Sequence, residues 1–192
     1  WFWFLTLTTD CYIHQKLKVP QVIDWIFRKY KFQDYIWKLE MPHSEWEYCC
    51  QYRETAFDFV SRLMETEGIY YFFQHERDKH TMLLLDKYTL HPSCQLNSRF
   101  RFEKSFGPGY GRDEETVLTW NSHRKTVSAN IRYRDFSYLT PEDSLEVSFP
   151  TNQEPPLSDL FTLYDYPGEY EKRNEGTDWA QLRAEEEDAD HE

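Results

Sequence analysis

Along QYRETAFDFVSRLMETEGIYYFF, residues 51–73, the spacing of apolar positions changes character twice. Phe57, Val60 and Met64, interleaved with Phe59 and Leu63, recur at three- and four-residue steps, which predicts an amphipathic helix of about three turns. Thr55 offers an N-cap oxygen, and Asp58 three residues later can return the bond in capping-box fashion. Asp58 and Arg62 stand at i, i+4 on the polar side. Gly68 lies where a left-handed residue closes a helix. Beyond it IYYFFQHERDKHTMLLLD reads as a hairpin, with an aromatic strand, a polar turn at residues 77–79 and an aliphatic strand.

The same reading extends to both sides. WFWFLTLTTD predicts a strand entering a turn. VPQVIDWIFRKY predicts a helix that starts near Pro20, presents Val22, Ile23, Ile26 and Phe27 on one stripe, and ends near Tyr30. YIWKLE alternates as a half-buried strand does, and EYCCQYRE is a further strand. From His91 to Arg112 the pattern is irregular, and GPGYG at 107–111 is its most loop-like point. That divides the chain into a first sub-domain, 1–106, holding two helices and the aromatic hairpin, and a second β-rich one, 107–192. TVLTWNS, KTVSANIRYRDFSY and LEVSFP supply strands to the second. Pro167-Gly168 suits the centre of a type II turn, and a polar helix follows from about Glu175. The fold class is α+β, rich in β.

Composition sharpens this picture. The 192 residues are enough to bury a sizeable core, and an 18% aromatic content with only 6 glycines fits extensive β packing. A net charge of −12 argues against sequence-independent binding to nucleic acid or to an anionic membrane. Half of that charge falls in residues 171–192, read as a solvated helix face running into a tail. The longest apolar runs, residues 1–5 and 69–73, are far too short to span a bilayer. Adjacent Cys49 and Cys50 point to opposite faces of a strand, so the four cysteines form no disulfide framework and are expected to be reduced. The opening WFWFL without Met suggests an internal piece of a longer protein.

Candidate chemistry is thin. Glu65 and Glu67 are about 200° apart on a helix and cannot flank one substrate. His75, His80, His91 and Cys94 have spacings within a possible zinc range, which keeps open a metal-dependent hydrolase. His75 and His80, however, flank a polar turn where histidine is an ordinary residue. The chain has no G-x-S-x-G, HExxH or CxxC motif, Ser61 has no base near it in sequence, and GPGYG lacks the Lys-Ser/Thr of a phosphate loop. IYYFF and IRYRDF could stack bases or form the face of a ligand-binding β module, although the acidic charge disfavours nucleic acid. An aromatic inventory without assembled chemistry fits a protein that works by contact. No cofactor is implied.

EYCCQYRETAFDFVSRLMETEGIYYFF resembles the hallmark segment of the VgrG family, the spike proteins of bacterial type VI secretion. It is also similar to the related hubs of contractile phage tails and the late control gene D proteins. WFWFLTLTTDCYIHQ, VPQVIDWIFRKYKFQDY, HTMLLLD, VLTWN, RDFSY and YDYPGEY follow in the family's order across nearly the whole chain. The resemblance implies barrel-like hub domains with a short helix-containing insertion, and a homotrimer whose base docks on the hexameric Hcp tube. Tip protein and effectors would be carried by a needle that this segment lacks. It implies no catalysis, no metal, no nucleic acid and no stable membrane insertion. The protein would assemble in the bacterial cytoplasm and then be driven outward or into a target cell. Thr55, Phe57, Asp58, Val60, Leu63, Met64, Gly68, Pro167 and Gly168 would then carry fold, with Cys50 a small core hydrophobe.

Overall fold

The computed structural model describes residues 1–93, 99–102, 116–123, 125–152 and 160–191. Cys94, the GPGYG segment and the 106/107 boundary lie outside the described residues.

WFWFL is not a strand. Residues Phe2–Leu7 form a 3₁₀ helix, in which Phe2 and Leu5 are buried while Trp3, Phe4 and Leu7 face out. The reason is packing, because i and i+3 eclipse in a 3₁₀ helix, whereas a strand would pair Phe2 with Phe4. Phe2 meets the rings of Phe27, Phe57 and Tyr71. The chain then runs through β1 (Thr9–His14), β2 (Leu17–Lys18), α1 (Val19–Lys29), β3 (Tyr35–Lys38), β4 (Glu45–Trp46) and β5 (Cys49–Thr55). Next come α2 (Ala56–Thr66), β6 (Tyr70–His75), β7 (His80–Leu85), β8 (Arg101–Phe102) and β9 (Thr116–Val117). β10 (Asn130–Tyr133), β11 (Val147–Pro150), β12 (Thr162–Asp165) and α3 (Arg173–His191) complete it.

α1 buries Val19, Val22, Ile23, Ile26 and Phe27, the predicted stripe with one residue added in front. Its C-terminus closes on Lys31 at φ 62°, where Phe32 N–H donates to Phe27 O and Lys31 N–H to Arg28 O. Those two bonds define a Schellman motif, here with lysine in the left-handed place glycine usually takes. β1 pairs antiparallel with β5, and a bulge at Arg53 (φ 52°) shifts the register between Asp10 and Cys11. Of the adjacent thiols it is Cys49 that enters the core, while Cys50 is half-buried on the other face. β7 runs down the middle of a three-stranded sheet, parallel to β3 and antiparallel to β6. Covered on both faces, it is apolar from Met82 to Leu85.

The 3₁₀ helix, α1, α2 and β7 enclose one core, from Phe2 to Leu84. A second core gathers Ile131, Leu145, Val147, Tyr170, Ala180 and Ala184, where α3 lies across β10 and β11. β10 is the middle strand there, antiparallel to β11 and parallel to β12. Ala180 and Ala184, one turn apart, let the helix approach that sheet closely. The acidic end of the chain therefore stays helical to His191. Among the described residues the strands form five separate sheets of two or three strands, and none closes into the barrel that the resemblance implied. The architecture is mixed helix and strand. No helix among the described residues is long and apolar enough to cross a membrane.

Candidate functional site

α2 is set by its ends. Thr55 Oγ1 accepts from Asp58 N–H at 3.0 Å and donates to Asp58 Oδ2 at 2.7 Å, so the carboxylate returns its bond to the hydroxyl rather than to the Thr55 backbone. At the far end Gly68 takes φ 65°, with Gly68 N–H donating to Glu65 O and Ile69 N–H to Met64 O. Ile69 and Met64, the two residues that this motif brings together, are both buried. The buried face consists of Ala56, Phe59, Val60, Leu63 and Met64, and Phe57 is only half-buried beside Phe2. Arg62 does not pair with Asp58; it reaches back to Glu54 at 2.6 Å.

A cleft of about 1290 Å³ separates the end of α2 and residues 41–50 from α3. On its near wall sits a cluster that no local motif announces. His43 Nδ1 lies 2.6 Å from Glu67 Oε2, and His43 Nε2 lies 3.4 Å from Asp86 Oδ2, within ion-pair range but off hydrogen-bond alignment. All three side chains are buried, at 7%, 6% and 1% exposure. Trp46 Nε1–H donates to the other oxygen of Glu67 at 3.0 Å. Asp86 accepts the backbone N–H groups of Glu40 and Met41 at 2.7–3.0 Å. The hydrogen bond that His43 donates to Glu67 raises the pKa of His43 above 6.5 against the opposing effect of burial, with Asp86 adding to it. The other buried histidine, His14, goes the opposite way: it lies parallel to Phe59 and edge-to-face with Trp25, and burial lowers its pKa. His43 thus lies between two carboxylates that favour its protonated form.

Trp46 also reaches across the cleft, its ring 5.9 Å from that of Trp179 on α3. A Cβ on Gly68 would fall 2.6 Å from Leu182 of the same helix. On the α3 side, Tyr170 is the central buried group. Its hydroxyl donates to Leu145 O, and burial pushes its pKa up to about 12. The ring lies between two glycines: a Cβ on Gly168 would come within 2.8 Å of its Cδ1, and one on Gly176 within 2.5 Å of its Cε2. This differs from the type II turn expected at Pro167-Gly168. The Tyr166–Pro167 bond is cis, and the left-handed residue is Glu169 (φ 61°) rather than Gly168. Gly168 is needed for room, not for its φ.

Of the four candidate metal ligands, the three described histidines are not gathered. His75 and His80 face each other across the β6–β7 hairpin, with ring centroids 5.9 Å apart. His91 stacks on Phe72 at 4.3 Å, whereas His75 and His80 both contact Phe73. Neighbouring residues of a strand face opposite ways, so His91 lies across the sheet from the other two. Cys94 is outside the described residues, among which no group of three or more His, Cys, Asp or Glu is arranged to hold a metal ion. Of the aromatic runs weighed as stacking faces, Tyr71 and Phe73 pack on the first core and Tyr133 on the second. The same runs leave Tyr70 and Phe136 exposed, and further exposed rings include Tyr138, Tyr164 and Tyr166.

Over residues 1–192 the chain matches the profile described as phage tail baseplate hub (GPD). It is 40% identical over 186 residues to the type VI secretion system spike protein VgrG1c of Pseudomonas aeruginosa, covering 96% of this chain and 25% of that protein. It is 39% identical over 193 residues to VgrG1a of the same organism, covering 100% of this chain and 29% of that one. The chain therefore spans less than a third of the length of these curated relatives. A solved E. coli protein, c3393, described as a component of the type VI secretion system, aligns with 53% of this chain and 28% of its own. Its identity is 24% and its TM-score 0.46.

Proposed function

We infer a mechanical role from one premise: the chain belongs to the phage tail baseplate hub (GPD) family. In this reading it forms part of the hub at the base of a type VI secretion spike. The observation that carries it is the 39–40% identity to named spike proteins over essentially the whole chain. The intact protein is a homotrimer that docks on the hexameric Hcp tube, with needle, tip and effectors attached beyond this segment. It assembles in the bacterial cytoplasm and is driven outward when the sheath contracts. The role is to transmit force rather than to make or break a bond.

Two features support an assembled state. Phe136, Tyr138, Leu139, Leu160, Tyr164 and Tyr166 are exposed large apolar side chains, of the kind that oligomers cover. The two cores, taken as a hub sub-domain over 1–106 and a second over 107–192, are tied at their junction by Trp46–Trp179 and Gly68–Leu182, a route along which load can pass.

Deleting the gene in a strain without other spike genes is expected to abolish Hcp export, with restoration on complementation. Undiminished export would overturn the reading. Sedimentation of the intact protein tests the trimer separately, and a monomer would refute that part alone.

A further inference from the structure

His43 lies on the cleft wall with its side chain buried, and it links three separate segments of the chain. It bonds the cap residue of α2 through Glu67, the end of β7 through Asp86, and lies three residues before Trp46, which shares Glu67. We propose that His43, Glu67 and Asp86 form a proton-operated latch, which holds residues 40–46 against the end of α2 and, through Trp46, holds the second core in place.

The charges decide which state closes it. With His43 protonated, one cation lies between two buried carboxylates. Without that proton the neutral ring can still keep one N–H, on Nδ1, bonded to Glu67 beside the Trp46 indole, but the positive charge facing Glu67 and Asp86 is gone, and Asp86 keeps only the Glu40 and Met41 amides. Two anions then face one another across a neutral ring, which is costly in a buried site. Water must reach them, and residues 40–46 must move to admit it. The other charged groups near this wall do not replace the lost cation. Lys87 pairs with Glu40 at 3.3 Å and Arg62 with Glu54. From α3 the cleft receives chiefly acids, Glu175, Asp178 and Glu185, with Lys172 paired to Glu175 at 3.7 Å.

The direction with pH follows. His43 holds its proton more tightly folded than at its ordinary 6.5. The latch is therefore fully closed below 6.5 and opens as pH rises through the higher folded value. Opening frees Trp46 from Glu67 and loosens its contact with Trp179, so the junction between the cores slackens on the alkaline side.

The test is an NMR titration of the 192-residue chain from about pH 5.5 to about pH 9, following the His43 ring and the Trp46 indole N–H. Both signals are expected to move together with a midpoint above 6.5, and Trp46–Trp179 cross-peaks to weaken through the same transition. Glu67→Gln, which keeps an acceptor for Trp46 but removes the charge, should lower the His43 midpoint by about one unit, roughly tenfold in proton affinity. Asp86→Asn should lower it in the same direction. In His43→Gln the Trp46 signal should no longer depend on pH in this range. A His43 midpoint at or below 6.5, or a Trp46 signal that ignores the His43 titration, overturns the latch, and the wild-type chain alone decides both. An unchanged midpoint in folded Glu67→Gln overturns it as well.

Discussion

Gly176→Ala tests whether tertiary packing outweighs local propensity in α3. Gly176 lies in the first turn of that helix, where Gly176 N–H donates to Lys172 O. In a helix interior, alanine is favoured over glycine by about 0.8–1.0 kcal/mol, so an argument from the helix alone predicts a more stable protein. The structure predicts the reverse. A Cβ at 176 would meet Tyr170 Cε2 at 2.5 Å and Cε1 at 2.7 Å, contact with the face of a ring. That ring cannot swing aside, because Gly168 backs it and its hydroxyl is bonded to Leu145 O. Overpacking of this kind costs roughly 1–3 kcal/mol, and loss of the buried hydroxyl bond about 1 kcal/mol more. The net expectation is a loss of about 1–3 kcal/mol, a fall of roughly 3–10 °C in melting temperature for a chain of this size. Thermal unfolding followed by circular dichroism measures it. The reasoning also predicts a sign change: with Tyr170→Val in place, Gly176→Ala should become neutral or stabilising. A single mutant as stable as the parent, or a penalty that survives removal of the ring, would refute it.

Further expectations concern the first core. Phe59→Ala should cost about 3–5 kcal/mol in urea unfolding, whereas Phe57→Ala, at a half-buried position, should cost about 1–2 kcal/mol. The opposite order would mean that the buried face of α2 is misplaced. Lys31→Gly should stabilise by about 0.5–1 kcal/mol, since the position is exposed and left-handed and lysine alone bears the steric cost there. A melting temperature that drops instead would show that Lys31 makes a contact worth more than its strain. Burial pushes the Cys49 thiol up to about 11 while Cys11 is exposed. In the native state a thiol reagent at mildly alkaline pH should therefore label Cys11 and spare Cys49, and equal rates would contradict that burial.

The two long apolar helices could be read from the chain because their causes are local. The stripes of α1 and α2, the Thr55 cap and the left-handed Gly68 each depend on residues within a turn or two. So could the hairpin of β6 and β7, whose strands meet around a short polar turn. The family motifs, being contiguous strings, carried the assignment as well. Other features were decided at a distance. WFWFL has strand-forming residues, yet it winds into a 3₁₀ helix because Phe2 must meet Phe27, Phe57 and Tyr71. On α2 the pattern admitted both Phe57 and Phe59, and only the position of α1 and β5 made Phe59 the buried one. Pro167-Gly168 carried the residue types of one turn and adopts another, because the ring of Tyr170 needs the space of Gly168.

The cluster of His43, Glu67 and Asp86 shows the limit most clearly. In sequence nothing marks Glu67 beyond its separation from Glu65 around a helix, and His43 stands 24 residues away in a short polar segment. Periodicity and capping describe neighbours along the chain, so they determined where helices begin, end and turn their apolar sides. Which charges are buried together depends on how separate elements fold back on one another. Only the tertiary structure decided that, because burial and pairing arise together when the elements pack.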